Sequence, residues 1–186
     1  MPDFTYLNAE ALRTRQLLAA HFVRKCRHVL EIGGGENPIT RWLALLADNF
    51  EDVDGWKWHK LVTIVDPVIA PWENEQIEGV PWVVRHLQMR IEDYQPRGDE
   101  DGLVMLGFEG EGHCDIEVVC RLIEKARVTV IEASCNHMPA LRAIGDILSR
   151  DIHPVTVHLA TTYRGAGVPE AHPFCERNFY VLDTEG

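Results

Sequence analysis

The chain has 186 residues, 46% of them hydrophobic and 25% charged, and its 18 basic and 29 acidic side chains give a net charge of −11. This composition is typical of one globular domain, and no apolar run reaches the roughly 18 residues of a membrane helix. A negative surface repels phosphate backbones and disfavours nucleic acid as a partner. The five cysteines are odd in number and lack CxxC spacing, so we expect reduced thiols in a cytoplasmic protein without membrane contact.

Helical and strand patterns alternate along the sequence. An N-terminal helix is predicted within residues 1–27, where Asn8 is a candidate N-cap. A helix over about 39–49 leads into an acidic, tryptophan-rich insertion at 49–60. Two more helices, after the fourth and the fifth strands, are predicted from their 3.6-residue apolar period. The strands are predicted at 29–32, 61–66, 82–87, 102–107, 128–131, 155–160 and 179–182.

The middle strands are near-continuous apolar runs, which is typical of parallel strands covered on both faces. The last two strands are joined by a loop without a helical pattern. The final strand is therefore predicted to be antiparallel, because a parallel connection needs a crossover. We predict a single domain over residues 1–186 with an α/β fold, namely a doubly wound, mostly parallel seven-stranded sheet with an antiparallel last strand and helices on both faces.

Three consecutive glycines, Gly33 to Gly35, follow the first strand, and Asn37 and Pro38 open the helix after them. Glycine lacks a Cβ, so such a turn lets the backbone come close to a ligand. The start of the following helix directs N–H groups at negative charge. The stretch therefore predicts the front half of a nucleotide-type cofactor site.

Polar groups also follow the next three strands, and the carboxyl ends of parallel strands are where ligands bind in open α/β sheets. Asp66 ends the second strand, and an acid there can accept bonds from both hydroxyls of a ribose. Asp93 or its neighbour, after the third strand, can contact the amino group of an adenine. The loop 108–113 follows the fourth strand.

With this strand order, the sequence resembles the class I S-adenosylmethionine-dependent methyltransferases over about residues 28–182. The resemblance is carried by the Glu31-x-Gly33-x-Gly35 turn, by Asp66 and by the Glu92-Asp93 pair. It implies S-adenosylmethionine as cofactor, with Gly33 and Gly35 along its methionine, Asp66 at the ribose and Asp93 at the adenine. Phe108 is then expected near the transferred methyl group. The implied cofactor-binding set is Glu31, Gly33, Gly35, Asp66, Glu92, Asp93 and Phe108.

A dinucleotide cofactor is disfavoured by the same stretch. A G-x-G-x-x-G turn needs a third glycine for close packing of the helix on the strand, and Pro38 occupies that position here. Asp66 also lies farther along the chain than the acid that follows such a turn after about 20 residues.

Methyl transfer from a sulfonium requires mainly in-line positioning, and a general base matters when the acceptor must lose a proton. His113 and Glu111, in the loop after the fourth strand, are the predicted catalytic residues. Glu109 and His137 are further candidates. The alternative is that both glutamates are solvated loop charges and that His137 caps a helix. The histidines and cysteines match no established zinc spacing, so we expect no metal.

The sequence therefore predicts an enzyme that transfers a methyl group to a small-molecule or protein acceptor. The chain has no room for a separate substrate domain, so a homo-oligomer or a partner chain is expected to complete the site. One alternative is a non-catalytic, methyltransferase-like binding or scaffold subunit. Another keeps the cofactor and transfers its aminocarboxypropyl group.

Overall fold

The structure is a computed structural model that describes residues 10–34, 38–40, 42–43, 60–68, 82–109, 114–135, 137–150, 156–164 and 176–183. Its helices are α1 (Glu10–Val23), α2 (Ile116–Ile123) and α3 (Met138–Ser149). A short 3-10 turn covers Ile91–Asp93. The strands are β1 (His28–Ile32), β2 (Lys60–Val65), β3 (Trp82–Leu87), β4 (Gly102–Leu106), β5 (Val128–Ser134), β6 (Thr156–Arg164) and β7 (Glu176–Asp183).

The seven strands of the described residues form one sheet in the order β3-β2-β1-β4-β5-β7-β6. Neighbouring strands from β3 through β5 are parallel, and β7 is antiparallel to both β5 and β6. The predicted α/β fold, with a mostly parallel sheet and an antiparallel last strand, is confirmed. The chain moves outward from β1 to β3 and then returns to place β4 beside β1. A ligand crevice is expected at this change of direction.

Two predicted strand ends were too early. β5 continues to Ser134 and β6 to Arg164, because both form ladder pairs with β7 beyond their apolar runs. The helix predicted over about 39–49 lies mostly outside the described residues, of which Thr40, Trp42 and Leu43 are helical. Nearly all of the insertion at 49–60 also lies outside them.

The sheet separates two hydrophobic layers, and successive strand residues alternate between the layers. On the face that α1 covers, the buried residues include Val29, Val104, Ala19, Ala20 and Val23. On the face that α2 and α3 cover, they include Leu30, Leu103, Met105, Ile123 and Ile144. Helices therefore pack on both faces. Within the described part of the chain, none of them is long and apolar enough to cross a bilayer.

At the amino-terminal edge of the sheet, Glu100 stabilises the turn that leads into β4. Its carboxylate accepts hydrogen bonds from the backbone N–H groups of Arg97 at 2.6 Å and Gly98 at 2.7 Å, and from the Tyr94 hydroxyl at 2.7 Å. Burial by itself would raise the pKa of Glu100, but the donors at Arg97 and Tyr94 outweigh it and hold that pKa below its ordinary value.

The same edge connects β1 to the turn through two more acids. Asp101 accepts bonds from the N–H groups of Arg27 at 2.8 Å and His28 at 2.9 Å. The buried His28 ring contacts Asp99 Oδ1 through Nδ1 and Thr63 Oγ1 through Nε2, both at 2.9 Å. These contacts fix the start of β1 relative to β2 and β4.

Candidate functional site

A cavity of about 810 Å³ lies at the carboxyl-terminal ends of β1, β2 and β4. This is the position expected for a ligand in a doubly wound sheet, and the volume lies within the range of small-molecule sites. The described lining residues are Ile32, Gly33, Val65, Pro67, Val68, Arg90, Ile91, Glu92, Met105, Leu106, Gly107, Phe108, Cys114, Asp115, Ile116, Glu117, Asp146 and Arg150.

The turn after β1 requires glycine at two positions for two different reasons. Gly33 lines the cavity with a φ of +71°, which disfavours any side chain, and its N–H donates to the Val65 carbonyl at 2.9 Å. At Gly34, a Cβ would come within 2.9 Å of Ile64 Cγ2 and 3.0 Å of Glu31 Cδ. The sequence reasoning did not select Gly34, although its place between two glycines was a signal for it. The predicted Gly35 lies outside the described residues.

Glu31 lies beneath this turn and not on the surface of the cavity. Its carboxylate oxygens accept from the Ile39 backbone N–H at 3.1 and 3.2 Å, so it stabilises the start of the following helix. Burial raises the pKa of Glu31 to about 8, and nearby Asp66 adds to the rise, while the Ile39 N–H and Arg15 oppose it. The carboxyl group is therefore largely protonated at neutral pH.

Asp66 follows β2 between residues that line the cavity. It is buried, its backbone N–H donates to the Leu87 carbonyl at 3.1 Å, and its Oδ1 accepts from the Val68 N–H at 2.8 Å. The flanking residues Val65, Pro67 and Val68 face the cavity. Asp66 itself is not among the described residues that line the cavity, so the turn places the residue predicted to bind the ribose beside the rim.

The two acids after β3 have different surroundings. Glu92 lines the cavity, and its Oε1 accepts from the Asp115 N–H at 2.7 Å, which connects the 3-10 turn to the start of α2. Asp93 is exposed like Glu92 but does not line the cavity, and its N–H donates to the Arg90 carbonyl at 3.2 Å. Of this predicted pair, the structure brings Glu92 to the cavity.

Phe108 lines the cavity just beyond β4, and it is buried. Its predicted place near the transferred methyl group stays a prediction. Its N–H donates to the Glu132 carbonyl at 2.8 Å. The Glu132 carboxylate accepts from the Gly107 N–H at 2.7 Å and contacts Arg15 at 3.0 Å. Neither Arg15 nor Glu132 was predicted from the sequence. The signal for Glu132 was an acid directly after the apolar run of the fifth strand.

The far end of the cavity is polar and lies between α2 and α3. Asp115 caps α2 by accepting from the Glu117 N–H at 2.8 Å, and Glu117 pairs with Arg150 at 2.7 Å. Burial raises the pKa of the neighbouring Cys114 thiol to about 11, and Glu92 and Asp115 add to the rise. The thiol is therefore neutral at physiological pH and unsuited to nucleophilic attack.

The predicted catalytic residues His113 and Glu111 lie outside the described residues. Glu109, just before that segment, is exposed. His137 occupies the N-cap position of α3, but its side chain makes no capping hydrogen bond. Its Nδ1 atom is buried and has no partner among the described residues, and His137 does not line the cavity.

His28, Asp99 and Glu100 carry atoms of metal-ligand type that lie within 4.8 Å of one another. They belong to the amino-terminal edge of the sheet and not to the cavity. Hydrogen bonds within the protein already use both ring nitrogens of His28 and both carboxylate oxygens of Glu100.

No protein-family model matches the sequence, and no curated protein matches it either. Solved structures are similar in fold. The N-methyltransferase NodS from Bradyrhizobium japonicum WM9, in complex with S-adenosylhomocysteine, is similar with a TM-score of 0.62 and 13% identity over 98% of this chain and 92% of that one.

Two further structures show the same likeness. The 1,6-didemethyltoxoflavin-N1-methyltransferase from Burkholderia thailandensis has a TM-score of 0.56 and 14% identity, over 97% of this chain and 81% of that one. An rRNA methylase from Streptococcus thermophilus has a TM-score of 0.54 and 13% identity, over 95% and 98%. At such identities the likeness concerns architecture alone. The chain has the fold of the class I S-adenosylmethionine-dependent methyltransferases.

Proposed function

We propose that this chain is an enzyme that binds S-adenosylmethionine at the carboxyl-terminal edge of its sheet and transfers the methyl group to an acceptor. The cavity at the change of strand direction carries this proposal, because it begins at a glycine turn. At Gly34 there is no room for a Cβ, and at Gly33 a φ of +71° disfavours any side chain. Two solved structures of similar fold are complexes with S-adenosylhomocysteine, the demethylated product of that cofactor.

The residues present fit this cofactor. Gly33 and Gly35 would lie along its methionine part, and Asp66 would accept from the ribose hydroxyls. At the adenine end, Glu92 is favoured over Asp93 as a contact because Glu92 lines the cavity and Asp93 does not. Glu31 would act from behind the turn, through Ile39.

When bound, the cofactor supplies a methyl group that is already activated by a sulfonium. The chain then has to orient it and exclude water. The cavity lining includes the apolar side chains of Phe108, Met105 and Ile32, which supports this role. His113 and Glu111 follow the exit of β4, and we propose them as bases for an acceptor that loses a proton.

The acceptor is proposed to be a small molecule or a protein, with a second copy or a partner chain completing the site. The net charge of −11 argues against nucleic acid as the acceptor.

Gel filtration with light scattering, combined with an assay on free small molecules, tests whether a second chain completes the site. A strict monomer that methylates a free small molecule would exclude a completing chain. Mass spectrometry of the product separates methyl transfer from aminocarboxypropyl transfer.

Calorimetric titration with S-adenosylmethionine and S-adenosylhomocysteine tests the proposed function. We expect both to bind the wild type, and Asp66→Ala to lower the affinity about tenfold or more through lost charge-assisted bonds. Asp99→Ala makes the same change at the opposite edge of the sheet and should leave the affinity unchanged. If neither ligand binds the wild type, the cofactor proposal fails and the scaffold alternative takes its place. If Asp66→Ala binds normally, the ribose contact lies elsewhere.

A further inference from the structure

Arg15 and Glu132 form an ion pair between the N-terminal helix and the centre of the sheet. Arg15 Nη1 lies 3.0 Å from Glu132 Oε2, and the two side chains are 14% and 0% exposed. A carboxylate removed from water to this extent requires a compensating charge. α1 therefore supplies a charge to β5 in addition to its apolar packing.

Glu132 in turn holds the exit of β4 through two groups. Its Oε2 accepts from the Gly107 N–H at 2.7 Å, and its backbone carbonyl accepts from the Phe108 N–H at 2.8 Å. Both of these residues line the cavity. The Oε2 atom that contacts Arg15 is the same atom that contacts Gly107.

Arg15 lies beside the β4 exit, at ordinary contact distance. Gly107 has a φ of +72°, and a Cβ at that position would lie 3.5 Å from Arg15 Nη1. Arg15 Nε is buried and has no partner in the part of the chain that the structure describes. Arg15 also acts on the second buried acid of this face, since its charge lowers the pKa of Glu31. The Arg15 guanidinium thus acts on Glu31, beneath the turn after β1, and on Glu132, which holds the exit of β4.

We propose that Arg15 is a positioning residue for the cofactor cavity, because through Glu132 Oε2 it fixes Gly107 and, with it, the next residue, Phe108. This inference rests on the proposed function in naming the cofactor. Without Arg15, the buried Glu132 carboxylate has to recruit a proton or water. Its bond to Gly107 then changes, and Phe108 shifts. In methyl transfer a displacement of about 1 Å can cost about a hundredfold in rate.

The test compares Arg15→Met, Arg15→Lys, Glu132→Gln and the double variant Arg15→Met/Glu132→Gln with the wild type. Arg24→Met is the matched control, because it removes the same charge just after α1, where Arg24 donates to the His21 carbonyl. Two readouts are used: hydrogen exchange of the Gly107 and Phe108 amides, and calorimetric titration with S-adenosylhomocysteine. Thermal unfolding is followed for each variant, and if Arg15→Met fails to fold, Arg15→Lys and Glu132→Gln carry the comparison.

We expect Arg15→Met to accelerate exchange at both amides at least tenfold and to weaken S-adenosylhomocysteine binding about tenfold. Arg15→Lys should return the exchange rates and the affinity part of the way to the wild-type values. The double variant should return them most of the way, because it no longer buries an uncompensated charge. Arg24→Met should match the wild type. Unchanged exchange in Arg15→Met, or a double variant as impaired as the single one, would overturn the positioning role. A wild type that binds no S-adenosylhomocysteine contradicts the proposed function instead, while the exchange data still decide the role of Arg15.

Discussion

Buried carboxylates hold both edges of the sheet, but their partners differ. At the amino-terminal edge, Glu100 accepts three hydrogen bonds, from Arg97, Gly98 and Tyr94. At the carboxyl-terminal edge, Glu31 shares a single backbone donor, the Ile39 N–H, between its two oxygens in the described part of the chain. Burial raises the pKa of Glu31 to about 8, whereas the donors around Glu100 more than offset its burial and lower its pKa.

This difference in pKa indicates that the amino-terminal edge stabilises the fold, whereas the carboxyl-terminal edge forms the candidate site. Glu100 has enough donors to stay ionised, so its turn is stable without any ligand. Glu31 lies beneath the turn that lines the cavity, and burial, with a smaller contribution from Asp66, raises its pKa. Carboxyl groups with strongly perturbed pKa values cluster at functional sites.

The largest expected effect is a pH dependence of stability that originates at Glu31. The folded chain keeps this carboxyl protonated up to about pH 8, whereas the unfolded chain ionises it near its ordinary value of 4.5. The folded state therefore binds more protons between these values, and the free energy of unfolding falls as the pH rises through that window. The pKa rise from 4.5 to about 8 sets this loss at about 5 kcal/mol at most. Glu31→Gln should abolish it in urea unfolding measured across the window.

Glu100, at the amino-terminal edge, should give stability the opposite dependence on pH. Because the pKa of folded Glu100 is lowered, its contribution to stability is present above the ordinary value of 4.5 and is lost as the pH falls below it. Glu100→Gln should flatten the acid side of the same profile and leave the alkaline side unchanged. A Glu31→Gln profile that declines as steeply as the wild type between about pH 5 and 8 would contradict the difference between the edges.

Replacing Gly34 or Gly98 with alanine should give the next largest difference between the two edges. At Gly34 the new Cβ would meet Ile64 and Glu31 at about 3 Å, so Gly34→Ala should destabilise by about 1–3 kcal/mol and weaken S-adenosylhomocysteine binding severely. Gly98, at the amino-terminal edge, has a φ of +87° and open space around it. Gly98→Ala should cost about 1–2 kcal/mol through backbone strain and leave binding intact. Equal losses of binding would mean that both variants act through stability alone.

The smallest expected effect distinguishes the neighbouring acids after β3. Both side chains are exposed, but Glu92 lines the cavity and accepts from the Asp115 N–H, whereas Asp93 does not line the cavity. Glu92→Gln should weaken S-adenosylhomocysteine binding about tenfold, the value of one hydrogen bond to a charged group. Asp93→Asn should stay within about twofold, the range of a solvated surface charge. Calorimetric titration of the two variants with S-adenosylhomocysteine measures both effects. A larger loss of affinity in Asp93→Asn than in Glu92→Gln would place the adenine at Asp93.

Local signals made most of this fold predictable. Apolar periods located the strands and helices, and the glycine run marked the turn after β1, because both features are contained in short stretches of sequence. The ends of β5 and β6 were not predictable, since hydrogen bonding to β7 extends them beyond their apolar residues.

The contacts that shape the site escaped prediction for a related reason. Arg15 and Glu132 are 117 positions apart, and nothing local to either residue indicates the other. The choice of Glu92 over Asp93 depends on the direction of one 3-10 turn, which the spacing of two adjacent acids does not determine. Gly34 is required by packing on Glu31 and Ile64, which only the assembled sheet brings together.

A crystal structure of the wild-type protein grown with saturating S-adenosylhomocysteine would locate the cofactor. We expect the ligand in the cavity between Gly33 and Phe108, with its ribose at Asp66 and its adenine beside Glu92. Electron density for the ligand at any other place, or an empty cavity at saturating ligand, would refute the proposed cofactor site.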